Sequence, residues 1–279
     1  MKGYNNHIMK FDLQRTQQIF IVVILGLVGL AILVGGGIGL SWYVGRQQTG
    51  DCNVADLQLY GSVVYYSNEG GNASNTADQT AAEAIRQQIE QADADASIKA
   101  ILLQVDSPGG DPVAGEDIAD ALKQSTKPTV VFAADEDTSA AYWASTGAKW
   151  IIASADSNLI DIGVTESYLD AEKQNEQNGL TFESLTAGQY KDMGNPDAPL
   201  TDAERAFILR DLNIADQNFI DQVAVNRTLS VASVTAIADG SSMEGAMALK
   251  DGLIDQIGSI YDAENYIKGK IGEDVTLCQ

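Results

Sequence analysis

The chain has 279 residues, 39 acidic against 17 basic side chains, a formal charge of −22, two Cys and a single His. Such acidity argues against a nucleic-acid partner, because a phosphate backbone is held by clustered Lys and Arg. The one histidine is His7, near the N-terminus, which excludes a Ser-His-Asp triad or an HExxH zinc site in the body of the chain. The first element is the run IFIVVILGLVGLAILVGGGIGLSWYV, residues 19–44: 26 residues without a charge, enough to cross a bilayer as a helix. A cleavable signal peptide is the rival reading, but the apolar run is too long and no clean small-x-small site follows it. Lys2, Lys10 and Arg15 precede the run with only Asp12 against them, so the positive-inside bias puts the N-terminus in the cytoplasm. The organisation expected is a cytoplasmic segment over 1–18, a single membrane anchor over 19–45 and an extracytoplasmic domain over 46–279.

Beyond residue 51 lie all the acids but Asp12 and Asp51, and 13 of the 17 basic residues, for a formal charge near −24. Cys52 opens this region and Cys278 nearly closes it, with no CxxC or other metal spacing. Outside the cytoplasm a Cys52–Cys278 bridge could persist and tie the two ends together; two free thiols or a link between chains are the alternatives. VADLQLYGSVVYYS (54–67) reads as strand, NEGGNASNTADQ (68–79) as loop and TAAEAIRQQIEQA (80–92) as helix. KAILLQVD (99–106) is a buried-strand run stopped by SPGGDP, and VAGEDIADALKQ (113–124) is a helix. PTVVFAA (128–134) is strand, SAAYWASTGA (139–148) a short helix and WIIAS (150–154) strand. A largely helical stretch runs from Thr201 to Leu249, and DGLIDQIGS (251–259) with one more helix closes the chain. This alternation predicts an α/β domain of stacked βαβ units.

A hydrolase built from these residues needs a base other than His. The Cys pair sits at the extreme ends, so a Cys nucleophile is disfavoured, and a serine with a lysine base solves the problem. That lysine must be neutral, hence desolvated or near positive potential. In EDTSAAYWAS (136–145), Ser139 stands where an acidic turn gives way to small residues. It is either a helix cap, with Asp137 or Thr138 as competing caps, or a nucleophile at a helix tip.

Three stretches then line up: VDSPGGDP (105–112) after a buried strand, TSAAYWAST (138–146) after the next, and GQYKDMGNP (188–196) further on. In this order they resemble the SppA-type signal peptide peptidase family, membrane-anchored serine proteases with a ClpP/crotonase-like fold. ADGSSMEGAMALKDGLIDQIGS (238–259) is similar to that family's closing segment. The resemblance implies Ser139 as nucleophile and Lys191, 52 residues on, as general base. It implies an oxyanion hole from Gly109, Gly110 and Ala140, with glycine allowing close backbone approach and a helix start supplying unpaired N–H donors. It also implies peptide substrates such as cleaved signal peptides, a ring-like homo-oligomer, a membrane location, and neither metal nor organic cofactor.

The chain departs from the family pattern in three places. Ala140-Ala141 replaces Gly-Gly after the serine, Thr138 stands where Ala is usual, and Asp161 in NLIDIGV (158–164) occupies the place of a serine that orients the lysine. A carboxylate there would orient Lys191 but favour its charged ammonium, against its work as a base. The sequence therefore predicts a membrane-anchored Ser139–Lys191 endopeptidase. The alternative is a catalytically impaired scaffold or peptide-binding protein that keeps the fold.

Overall fold

AILLQVDS, residues 100–107, has apolar side chains on both faces, as a parallel strand covered on two sides requires. It forms β4 (Ala100–Ser107) and sits inside the sheet, its register fixed by β1 (Val54–Tyr60) on one side and β5 (Thr129–Thr138) on the other. The computed structural model describes residues 52–66 and 79–278. The expected anchor over 19–45 and the segment 1–18 lie outside them, as does nearly all of the loop expected over 68–79. Among the described residues no helix is long and apolar enough to cross a membrane.

The remaining elements follow in chain order. They are β2 (Ser62–Val64), β3 (Gln79–Ala81), α1 (Ala82–Ala94), α2 (Pro112–Gln124), α3 (Ala140–Thr146), β6 (Trp150–Ala153), β7 (Asn158–Ile160) and α4 (Glu172–Gln177). Then come α5 (Asp202–Arg227), α6 (Val231–Thr235), β8 (Ser242–Glu244), α7 (Gly245–Lys250), β9 (Gln256–Ile257), α8 (Ile260–Ile271) and β10 (Leu277–Cys278). The main sheet runs β10-β1-β4-β5-β6-β9 and is parallel throughout this path; β7 pairs β5 beyond the end of β6, and antiparallel β8 pairs β7. The expected mixed α/β architecture is present.

Strand alternation divides the core. Ile101, Leu103 and Val105 face the larger layer, where they pack with Ile85, Ile118, Trp143 and Phe219 of α1, α2, α3 and α5. Ala100 and Leu102 face the smaller layer under Ala263 and Ile267 of α8. Trp143 stacks on Phe219 at 4.6 Å between centroids, which fastens α5 across α3. Helix starts carry their own signals: Asp111 accepts from the Val113 N–H with Pro112 in the first turn of α2, and Thr201 and Glu204 make a reciprocal box at α5. Cys52 and Cys278 are joined by a disulfide, with their Cα atoms 5.2 Å apart.

Several elements differ from the sequence reading: the strand read over 54–67 divides into β1 and β2, and β3 is a strand where loop and helix start were expected. β5 continues through the acidic Glu136 and Asp137 to Thr138, because β7 offers it a second partner where β6 stops. Within the stretch read as helical, Ser242–Glu244 is strand β8, drawn into the sheet by the edge of β7.

Candidate active site

Ser139 sits at the junction of β5 and α3 with φ 53° and ψ −125°. A non-glycine residue there is strained and persists only where its surroundings over-determine it. The constraints are visible: the Ser139 N–H donates to the Ile160 carbonyl at 2.7 Å, and its own carbonyl accepts from the Trp143 N–H at 3.0 Å. Its side chain makes no capping hydrogen bond, although it occupies the cap position of α3. The hydroxyl is thereby left for other work. α3 is buried along its whole length, which explains the small residues of AAYWAST.

Glycines bring the neighbouring backbone close. Gly109 has φ 89°, and a Cβ on it would lie 2.7 Å from the Ser139 Cβ and 2.8 Å from the Ala140 nitrogen. A Cβ on Gly115 of α2 would come within 2.4 Å of the Ala140 carbonyl, so α2 presses directly on the start of α3. The Ser-Pro-Gly-Gly turn is pinned to β2, with Val63 N–H donating to Gly109 O at 2.8 Å and Asp111 N–H to Val63 O at 2.9 Å.

The N–H of Gly109 is turned to Ser107 Oγ at 3.1 Å, and that hydroxyl donates to Gly61 O at 2.6 Å. The N–H groups of Gly110 and Ala140, in contrast, make no hydrogen bond to another described residue. Ala140 opens α3, so the partial positive charge of its peptide faces the same place. Ser139 and Gly110 line a cleft of about 600 Å³, together with Asp161, Asp216, Asp239 and the apolar Leu209 and Leu212 of α5.

Asp161 therefore shares the cleft with Ser139. Its φ is 53° and that of Ile160 is 86°, so the segment that holds Ser139 in place is itself strained. Burial, and then the nearby Glu136 carboxylate, push the Asp161 carboxyl above its ordinary range, which favours the neutral form. Lys191 is not brought to this cleft. It lies on the exposed turn after Gly188, its N–H donating to the Gly188 carbonyl at 3.1 Å, and every residue from 176 to 191 is exposed.

One group escaped the sequence reading. Asp137, taken there as a possible cap, is fully buried, with no hydrogen-bond partner for either carboxylate oxygen among the described residues. In an acidic stretch it carries no sequence signal that separates it from the exposed Asp135 and the part-exposed Glu136.

Residues 121–272 match Peptidase family S49, and residues 72–156 match the Clp protease family. The chain is 30% identical over 252 residues to a putative protease of Methanocaldococcus jannaschii, covering 88% of this chain and 81% of that one. It is 30% identical over 184 residues to a putative signal peptide peptidase SppA of Enterococcus faecium, spanning 65% of this chain and 54% of the relative. It is 28% identical to Protease 4 of Haemophilus influenzae over 76% of this chain but only 34% of the relative. Among solved structures it matches a ClpP1 mutant of Listeria monocytogenes with TM-score 0.49 and 14% identity, over 75% of this chain and 94% of that one. The chain belongs to peptidase family S49, the SppA type, and is a serine protease.

Proposed function

We propose that the chain is a Ser-Lys endopeptidase in which Ser139 is the nucleophile and Lys191 the general base. The observation that carries this reading is the strained Ser139 at a helix tip, its hydroxyl uncommitted, beside the unpartnered N–H groups of Gly110 and Ala140. In this mechanism Ser139 Oγ attacks the scissile carbonyl carbon while its proton passes to Lys191 Nζ and on to the leaving amine. The Gly110 and Ala140 N–H groups hold the developing oxyanion, with Gly109 as the hinge that lets them converge. Water, deprotonated by Lys191, then releases the acyl group from Ser139.

The lysine reaches the serine when copies of the chain assemble. The arm that bears it, residues 164–200, exposes Leu169 at 81%, Leu180 at 60% and Leu185 at 89%, apolar surface that suits a neighbouring copy in a ring. With the anchor over 19–45 in the membrane and the catalytic domain outside, the substrates are residual signal peptides or other short membrane-proximal peptides. The impaired-scaffold reading rests on the departures from the family pattern at Ala140, Ala141 and Asp161.

A fluorophosphonate probe tests the proposal on the assembled full chain. Labelling that disappears in Ser139→Ala supports it. No labelling from neutral to alkaline pH would leave the scaffold reading in its place.

A further inference from the structure

Asp137 is two residues from the nucleophile, yet no step above uses it. It lies where β5 changes partner, paired with Ser107 of β4 and Leu159 of β7. The pairing of β4 with β5 slips between Val105 and Ser107, so the strand is irregular just before it. Asp137 is 0% exposed and both its oxygens lack a partner. The Ser145 hydroxyl of α3 is also buried without a partner. It acts on Asp137 in favour of ionisation but stands outside hydrogen-bond geometry.

A carboxylate cannot stay charged in such a place without large cost; it takes a proton, or the structure moves to meet it. No cation acts on Asp137. On its own strand Glu136 and Asp135 flank it, and the Glu136 carboxylate accepts from Asn158 and Thr138 instead. From β4 the adjacent acid is Asp106, which is exposed. β7 offers no titratable group, and Asp161 just after it faces the cleft. α3 contributes Tyr142, whose phenol donates to the Leu253 carbonyl at 2.9 Å and is held protonated chiefly by burial. Arg227, Asp137 itself and Asp255 act on that phenol, and Arg227 pairs with Asp255 at 2.8 Å.

We infer that Asp137 is a proton-dependent positioning residue: its neutral form can stay buried where α3 packs over the end of β5, and its ionisation, which cannot be accommodated there, disturbs the strained Ser139 turn. The inference rests on reading Ser139 as the nucleophile. The coupling is short. Ionised Asp137 must draw in Ser145 or water, Ser145 moves only with α3, and α3 begins with the Ala140 N–H beside Ser139. Burial raises the Asp137 carboxyl to about 7, so the disturbance falls near neutral pH. The Ser139 geometry is therefore lost as pH rises through this range.

The test compares fluorophosphonate labelling of full-length wild type and Asp137→Asn from about pH 5.5 to about pH 9; the lysine contribution is common to both. The asparagine is isosteric and never ionises. The ratio of mutant to wild-type rate is expected to be flat below about pH 6 and to rise about tenfold or more by about pH 9. A second readout needs no chemistry at Ser139: Trp143 emission from α3, in a background of Trp42→Phe and Trp150→Phe. It is expected to titrate near pH 7 with Asp137 present and to stay flat in the Asp137→Asn variant. If Asp137→Asn does not fold, Asp137→Ala replaces it in both assays, with the same expected ratio and the same flat emission. Parallel labelling profiles, or Trp143 emission that is equally flat in wild type and variant, overturn the inference. If no variant labels at all, the nucleophile reading has failed, and the Trp143 titration still decides whether Asp137 governs α3.

Discussion

The two halves of the proposed dyad are built in opposite ways. Ser139 is set in a corner of β4, β5, α2 and α3, where Ala140 through Thr146 are all buried and glycine brings α2 onto the backbone beside it. Lys191 rides on an arm whose residues 176–191 are all exposed, tied down at its base by the Ala171 N–H to the Pro196 carbonyl at 2.8 Å and by Tyr190 edge-on to Phe207 at 4.4 Å. One chain preforms the proposed nucleophile and the two unpartnered N–H groups beside it. The proposed base is left on an exposed surface. Under the proposed mechanism such a protease would stay quiet as a single chain, because serine without a base is a poor nucleophile.

This contrast can be broken from either side. The largest effect is expected from Ser139→Ala, which removes the nucleophile: peptide hydrolysis should fall by about 10⁴-fold or more while thermal stability is kept. Retained hydrolysis would remove Ser139 from its role. Next, Gly115→Ala drives a methyl group into the Ala140 carbonyl, 2.4 Å from where the new Cβ would stand. Overpacking of this kind costs about 2–3 kcal/mol, read as a lowered urea midpoint, and labelling should slow with it. A variant as stable and as reactive as wild type would show that the corner is looser than described. Asp161→Ser should move the activity optimum to lower pH by about one unit if the carboxylate holds the arriving lysine charged. An unchanged profile would mean Asp161 acts only on the backbone beside Ser139. The smallest effect on folding is expected on the arm: Leu185→Asp should alter monomer stability by less than about 0.5 kcal/mol, yet abolish assembly in a sedimentation experiment. Unaltered assembly would take Leu185 out of the interface.

Much of the corner could be read from residue types. Ser-Pro-Gly-Gly after an apolar run marks a strand end followed by close backbone approach, and AAYWAST after PTVVFAA marks a second βα junction. The sequence does not disclose which backbone N–H groups are free. Gly109 spends its own on Ser107, and only the turn of the main chain decides that Gly110 and Ala140 do not. β5 ran past its expected end because strand length is set by partners, and β7 is a partner supplied 20 residues later. Asp137 was illegible for a related reason: its burial is imposed by α3 folding over it, whereas its neighbours in DED read as a solvated turn. The arm gave no periodic pattern to read, and the structure gives it one short helix, Glu172–Gln177, with irregular chain before it and turns after it.

The central claim, a nucleophile complete in one chain and a base delivered by another, is tested most directly by mixing. Ser139→Ala and Lys191→Ala chains are each expected to be inactive alone. Co-assembled, they should recover a measurable fraction of wild-type peptide hydrolysis, because the first lends its lysine to the serine of the second. Mixed assemblies that contain both chains and remain inactive would contradict the account.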